Sequence, residues 1–221
     1  MKKALILFAI LAFSATAVMA ERGAIRLGAP KYGTSQPRDA VELGYDDDSF
    51  EAFGSSPDWT DETLMVAEVP ADGPYALETI RIFGFGLADR PIVFREVADL
   101  LSEPGVVLDE SIMFNWGVGT WDEALWVDVD VTSLGLIYDE GDLICAGTRF
   151  YGDVDGDTIL DDGIGLDDSC YYDGTCGVYW AQYGGAWTLD TDFGYNDGIR
   201  FLLTGGTAIE RISLSGVKRL Y

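Results

Sequence analysis

The chain predicts an all-β fold: a β-sandwich of jelly-roll type, built from eight to ten short antiparallel strands. Three observations carry that expectation. Short runs rich in β-branched, aliphatic and aromatic residues recur along the chain, and Gly/Pro turn signals separate them at roughly regular spacing. No window sustains a 3.6-residue apolar stripe. With 48% hydrophobic residues, 11 Phe, 11 Tyr and 6 Trp, the sequence can fill a core despite its acidity.

The first element is not part of the fold. Lys2 and Lys3 form a positive head, residues 4–18 are almost unbroken apolar sequence, and Val18-Met19-Ala20 offers small or tolerated residues at a cleavage site. This pattern predicts a secretory signal peptide over residues 1–20, cut between Ala20 and Glu21. The apolar run is shorter than the ~20 residues of a bilayer span, so no membrane span is expected in the mature chain. No Cys sits at the cut to take a lipid. The expected location is secreted, extracellular or cell-surface, with the periplasm as the alternative.

Residues 21–41 read as an N-terminal arm, rich in Gly, Pro and polar residues, with one candidate strand at 24–27. Residues 42–221 read as a single β-sandwich domain. Strands are expected at 63–69, 76–83, 91–97, 110–116, 124–131, 142–150, 177–183 and 198–204, with another at 209–214. In 126–131 the residues alternate, placing Asp128 and Asp130 on a wet face and Val127, Val129 and Val131 on a dry one. Trp126 is expected to point inward. Turns are expected at Asp72-Gly73-Pro74, Glu103-Pro104-Gly105, Glu140-Gly141, Asp173-Gly174 and Gly184-Gly185. Residues 96–102 are the one short helical candidate, with a strand end and turn as the alternative.

Charge narrows the partners. The formal charge is −24, and loss of Lys2 and Lys3 makes it more negative by two. Such a chain is repelled by nucleic acid and by anionic membrane, and it attracts cations.

Several stretches resemble a diffuse group of jelly-roll domains in secreted bacterial proteins. They are Tyr45-Asp46-Asp47-Asp48, with Asp48 where that group has Gly, and Pro104-Gly105-Val106-Val107-Leu108. The strand from Trp121 to Val131, the pair Trp187-Thr188-Leu189 and Gly198-Ile199-Arg200-Phe201, and the basic end at Lys218-Arg219 complete the likeness. The resemblance implies a fold and export; the group supplies no activity to carry over.

The sharpest chemical signal is an acidic loop. Asp153, Asp155, Asp157, Asp161 and Asp162, with Gly156 for tight winding and the Ile159 carbonyl, suit a hard cation that takes six to eight oxygens. The segment resembles Asp-rich calcium loops, although Gly falls early and Ile164 stands where an EF-hand has Glu. Ca²⁺ is therefore the expected cofactor, in a structural role, with Asp167 or Asp168 as a more distant ligand. The alternative is a solvated acidic hairpin. Asp46-Asp47-Asp48 with Glu51 is a weaker second cluster. Cys170 and Cys176 are close enough in sequence to form a disulfide in an oxidising compartment, and Cys145 reads as a buried thiol.

Trp116, Trp121, Trp180, Tyr183 and Trp187 flank Gly-rich turns. They are read either as a ligand platform for sugar rings or as ordinary core. The absence of His removes Ser-His-Asp and Cys-His catalysis. With 38 acids, a carboxylate pair about 5–10 Å apart arises by chance and discriminates nothing. No catalytic residue is assigned, and the chain is read as no enzyme. The expected function is a secreted, calcium-stabilised binding module for glycan or cell-envelope material. A surface-assembly protein, self-associating through its Trp and Tyr faces, is the rival; a carboxylate-pair hydrolase is the third reading.

Overall fold

Apolar runs become strands, and every strand pairing among the described residues is antiparallel. The computed structural model describes residues 40–46, 48–56, 61–71, 73–151, 161–168, 170, 176–189 and 194–205. Among these residues there are fifteen strands. They are β1 (Ala40–Leu43), β2 (Ala52–Gly54), β3 (Glu62–Glu68), β4 (Tyr75–Gly86), β5 (Arg90–Arg95), β6 (Val107–Asp109), β7 (Met113–Phe114) and β8 (Leu125–Asp130). The rest are β9 (Ile137–Tyr138), β10 (Leu143–Arg149), β11 (Asp162–Asp167), β12 (Val178–Tyr183), β13 (Ala186–Leu189), β14 (Asn196–Asp197) and β15 (Ile199–Gly205).

The strands form two sheets, and together these make a β-sandwich. The first runs β1-β15-β4-β11-β14, with β8 and β9 also on β4 and β2 on β11. The second runs β13-β12-β3-β10-β5-β6, with β7 on β5. Leu77, Ile80, Ile82, Ile164, Phe201 and Leu203 of the first sheet meet Met65, Ala67, Ile92, Phe94, Ile144 and Tyr179 of the second to form the main core. Alternation assigns these faces, since successive side chains of a strand point to opposite sides.

The second sheet is covered on both sides. Leu64, Val66, Val93, Cys145, Val178 and Trp180 face outward from it and form a second apolar cluster. Val97, Leu100, Trp187 and Leu189 lie over that cluster. This explains why β3 is buried along nearly its whole length and reads in sequence as a continuous apolar run.

The expected strands within the described residues appear with boundaries moved by one to three residues, except that of 110–116 only Met113–Phe114 is strand (β7), while β6 lies just before it at Val107–Asp109. The surplus over ten comes from short pieces such as β2, β9 and β14, too brief to leave a periodic signal, and from the glycine-rich β11. Among the described residues the sheet includes Ala40 and Val41, which the sequence assigned to the arm. Residues 96–102 form a turn, not a helix. Asp99 fixes it by accepting bonds from Leu101 N (2.9 Å) and Ser102 Oγ (2.6 Å), the local competition that disfavours helix. Asp48 takes φ 71°, the left-handed conformation that Gly favours and Asp tolerates. Residues 1–39 and 206–221, with the signal segment, the arm as far as residue 39 and the candidate strands at 24–27 and 209–214, lie outside the described residues.

Candidate functional site

The outer face of the first sheet carries the third apolar cluster, and it is aromatic. On β4 the inward residues Ile80 and Ile82 alternate with Arg81, Phe83 and Phe85 on the outer side. On β11 the outward positions beside them are Gly163 and Gly165. A methyl group on Gly165 would lie 2.5 Å from Phe83 and 2.8 Å from Phe50; one on Gly163 would lie 2.8 Å from Phe85 and 2.9 Å from Phe53. Glycine thus flattens the strand, and rings laid over it replace the missing side chains.

These rings are ordered against one another. Phe50 stacks on Phe83 with centroids 4.2 Å apart and planes 10° from parallel. Trp126 leans on both, at 5.6 and 5.5 Å. Phe53 contacts Phe85 and Trp121 at 5.5 and 5.6 Å, and Trp121 also meets Phe83 edge-on at 5.9 Å. Phe85 is buried, Phe50, Phe83, Trp121 and Trp126 are half-buried, and Phe53 is 44% exposed. The result is a row of rings with one wet side.

Charge frames the row. Arg200 lies over the Trp126 ring at 4.5 Å and Arg81 at 5.5 Å. Both guanidiniums are paired: Arg81 with Asp128 (2.6 Å) and Glu42 (3.0 Å), Arg200 with Asp46, Asp48 and Glu42. Burial works against the Arg200 charge, but the bonds and field of Asp46, then of Asp48 and Glu42, outweigh it. The guanidinium is held above its ordinary range. At the other end of β11 the outward row passes from Gly163 and Gly165 to Asp167. There Glu51, Asp167 and Asp168 bring carboxylate oxygens within 4.8 Å of one another, a spacing that could hold a metal ion. Glu51 also accepts the Asp168 amide at 3.2 Å.

The residues singled out from sequence scatter across the molecule. Asp153, Asp155, Asp157 and Ile159 lie outside the described residues. Asp161 is half-buried at the loop's end. Asp162 is fully buried at the start of β11, where it accepts from Arg90 Nη1 (2.5 Å), Ser55 Oγ (2.9 Å) and Tyr151 N (2.7 Å). Its carboxylate thereby ties the two ends of the acidic segment together. Of the weaker cluster, Asp46 and Asp48 serve Arg200, Asp47 is not described, and only Glu51 joins Asp167 and Asp168.

The five aromatics of the sequence-derived platform divide. Trp116 is core: it is 5% exposed, its Nε1 donates to Ile82 O at 3.1 Å, and Arg90 lies over its ring at 4.5 Å. Gly84 makes room for that indole. Trp180 is core as well, buried in the second cluster. Trp187 is half-buried against that cluster under Arg95, and Tyr183 is 42% exposed at the end of β12. Only Trp121 belongs to the aromatic row. Trp126, expected inward, is on the outer face instead, because the alternation that exposes Asp128 and Asp130 exposes position 126 with them. Phe50, Phe53, Phe83 and Phe85 were missed; the available signal was glycine at alternate positions 163 and 165.

Cys170 and Cys176 form the expected disulfide, and Cys145 is the buried free thiol. Burial pushes that thiol up to about 12, so it stays protonated and unreactive at neutral pH.

No family model matches the chain, and no curated protein matches it in sequence. Two solved structures are similar in fold. One is the Clostridial cysteine protease Cwp84 after propeptide cleavage, with TM-score 0.58 and 7% identity over 77% of this chain and 41% of that one. The other contains the cysteine protease and lectin-like domains of Cwp84, a surface layer associated protein of Clostridium difficile. Its TM-score is 0.55, with 8% identity over 77% of this chain and 37% of that one. This chain spans about two fifths of the length of each, and at such identity the likeness is one of fold.

Proposed function

We propose that the chain is a secreted, non-catalytic binding module that takes glycan or cell-envelope material on the aromatic row of its first sheet. The observation that carries this reading is the row itself: Phe53, Trp121 and their half-buried neighbours form a wet ring surface on a glycine-flattened strand. Sugar rings present faces of C–H groups that pack on aromatic rings, while carboxylates beside the rings accept hydroxyl hydrogens. The fold likeness to a structure containing the lectin-like domains of a surface layer associated protein supports the same reading. So do the signal-like first twenty residues. No helix among the described residues is long and apolar enough to cross a membrane.

Calcium is part of the proposal. Glu51, Asp167 and Asp168 supply hard oxygen donors at the end of the row, and an ion there would fix β2 against β11. The acidic segment 153–161 is proposed as a second cation site.

The test is binding of the mature protein to a panel of polysaccharides in affinity gels, with and without Ca²⁺, beside a Phe53→Ala/Trp121→Ala variant. At least a tenfold loss of affinity is expected, equivalent to about 1.4 kcal/mol, with an unchanged circular dichroism spectrum. Full retention of binding by a folded variant would remove the row from the site.

A further inference from the structure

We propose that the ligand of the aromatic row carries protonated amines, as a glycan of the deacetylated amino-sugar class does. This deepens the binding role proposed above and rests on it.

Three observations point to an amine. First, the row already holds cations: the Trp126 ring lies under Arg200 at 4.5 Å and Arg81 at 5.5 Å. A cation over an indole face is attracted by the ring's negative quadrupole. Second, Trp121, the other indole of the row, has no such cation over it among the described residues. Yet it is half-exposed, and the exposed acids Asp122 and Glu123 follow it directly on a 3-10 turn. Phe53, the most exposed ring, is two residues from exposed Glu51. Third, the row has no cation to spare for an anionic sugar. Arg81 and Arg200 each meet at least two carboxylates, and the chain's charge of −24 repels uronic acids and phosphates at long range. An ammonium placed over Trp121 would meet the ring face within the negative field of Asp122 and of Glu123, which accepts from Thr120 Oγ1 at 3.2 Å. An acetylated amine offers neither attraction.

Calorimetric titration at about 150 mM salt, where long-range attraction is screened beyond roughly 8 Å, separates the possibilities. Glucosamine oligosaccharide, its N-acetylated counterpart and an oligogalacturonate are titrated into the mature protein. The same titrations are made into Trp121→Ala, which keeps every charge, and into Asp122→Asn/Glu123→Gln, which keeps the ring. Expected are at least tenfold tighter binding of the free-amine oligosaccharide than of the acetylated one, loss of that advantage in both variants, and no binding of the uronate. Equal affinity for the amine and acetylated forms, lost together in Trp121→Ala, overturns the amine and leaves the glycan reading standing. Amine binding untouched by Trp121→Ala reflects the acidic surface at large and overturns the proposal. Absence of binding by every oligosaccharide overturns both.

Discussion

Among the described residues Arg90 is the largest side chain that the sandwich buries completely, and it is charged. Burial lowers its guanidinium below the ordinary range, and the charge and hydrogen bond of Asp162 act against that loss. The Trp116 and Tyr151 rings at 4.5 and 5.3 Å complete its surroundings, and Gly86, with φ 153°, leaves space for its Nη2. Removing one member of such a pair strands the other charge, so Arg90→Met is expected to cost about 3–5 kcal/mol in urea unfolding. Adding Asp162→Leu should then cost less than its single effect, because the stranded carboxylate is gone. Strict additivity of the two would show that the ions are not coupled. Asp162 also marks the limit of what its sequence position disclosed. As one acid of a run it suggested a cation ligand, but its partner sits 72 residues away on another sheet. No local pattern records that separation.

At the level of single strands, legibility followed side-chain volume. β3, β4, β8 and β10 were readable because their own aliphatic residues line a core. β11 was not: Asp162-Gly163-Ile164-Gly165-Leu166-Asp167 has the composition of a turn. It is a strand because Phe50, Phe53, Phe83 and Phe85, brought from β2, β4 and the segment before β2, cover its glycines. The same reasoning separates two glycine substitutions. In Gly165→Ala the new methyl meets Phe83 and Phe50 rings at 2.5 and 2.8 Å, which can shift outward toward solvent. A loss of about 1–3 kcal/mol is expected in denaturant unfolding, partly recovered by Phe50→Ala in the same chain. In Gly147→Ala, on β10, the methyl meets the backbone carbonyl oxygen of Thr63 at 2.0 Å, inside the β3–β10 pairing. The backbone cannot move without breaking that pairing, so this loss should exceed that of Gly165→Ala. Equal losses would mean that the strands separate more easily than the rings.

The whole molecule carries 38 acids against 14 bases, and that imbalance decides what stabilises it. The described arginines Arg81, Arg90, Arg95, Arg149 and Arg200 are all paired with carboxylates, yet most acids are left to repel one another. Cations can relieve this in two ways that differ in kind. Salt screens all charges and acts through ionic strength. A bound ion acts at a site, raising stability by RT ln(1 + [L]/Kd), or about 2.7 kcal/mol at one hundred times Kd. For a domain of this size that corresponds to an increase in Tm of roughly 5–10 °C. Thermal unfolding of the mature protein is therefore expected to rise by that amount from EDTA to millimolar CaCl₂, at ionic strength matched with NaCl. Glu51→Gln/Asp168→Asn should remove the increase if the ion sits at the end of β11, and Asp155→Ala/Asp157→Ala if it sits in the acidic loop. A share lost in each variant would place an ion at both. Either variant also lowers the acid count by two, so each is expected to start from a higher Tm in EDTA than the parent; the difference between EDTA and calcium, and not the Tm itself, identifies the site. An increase reproduced in full by NaCl alone would leave screening as the whole effect and remove calcium from the account.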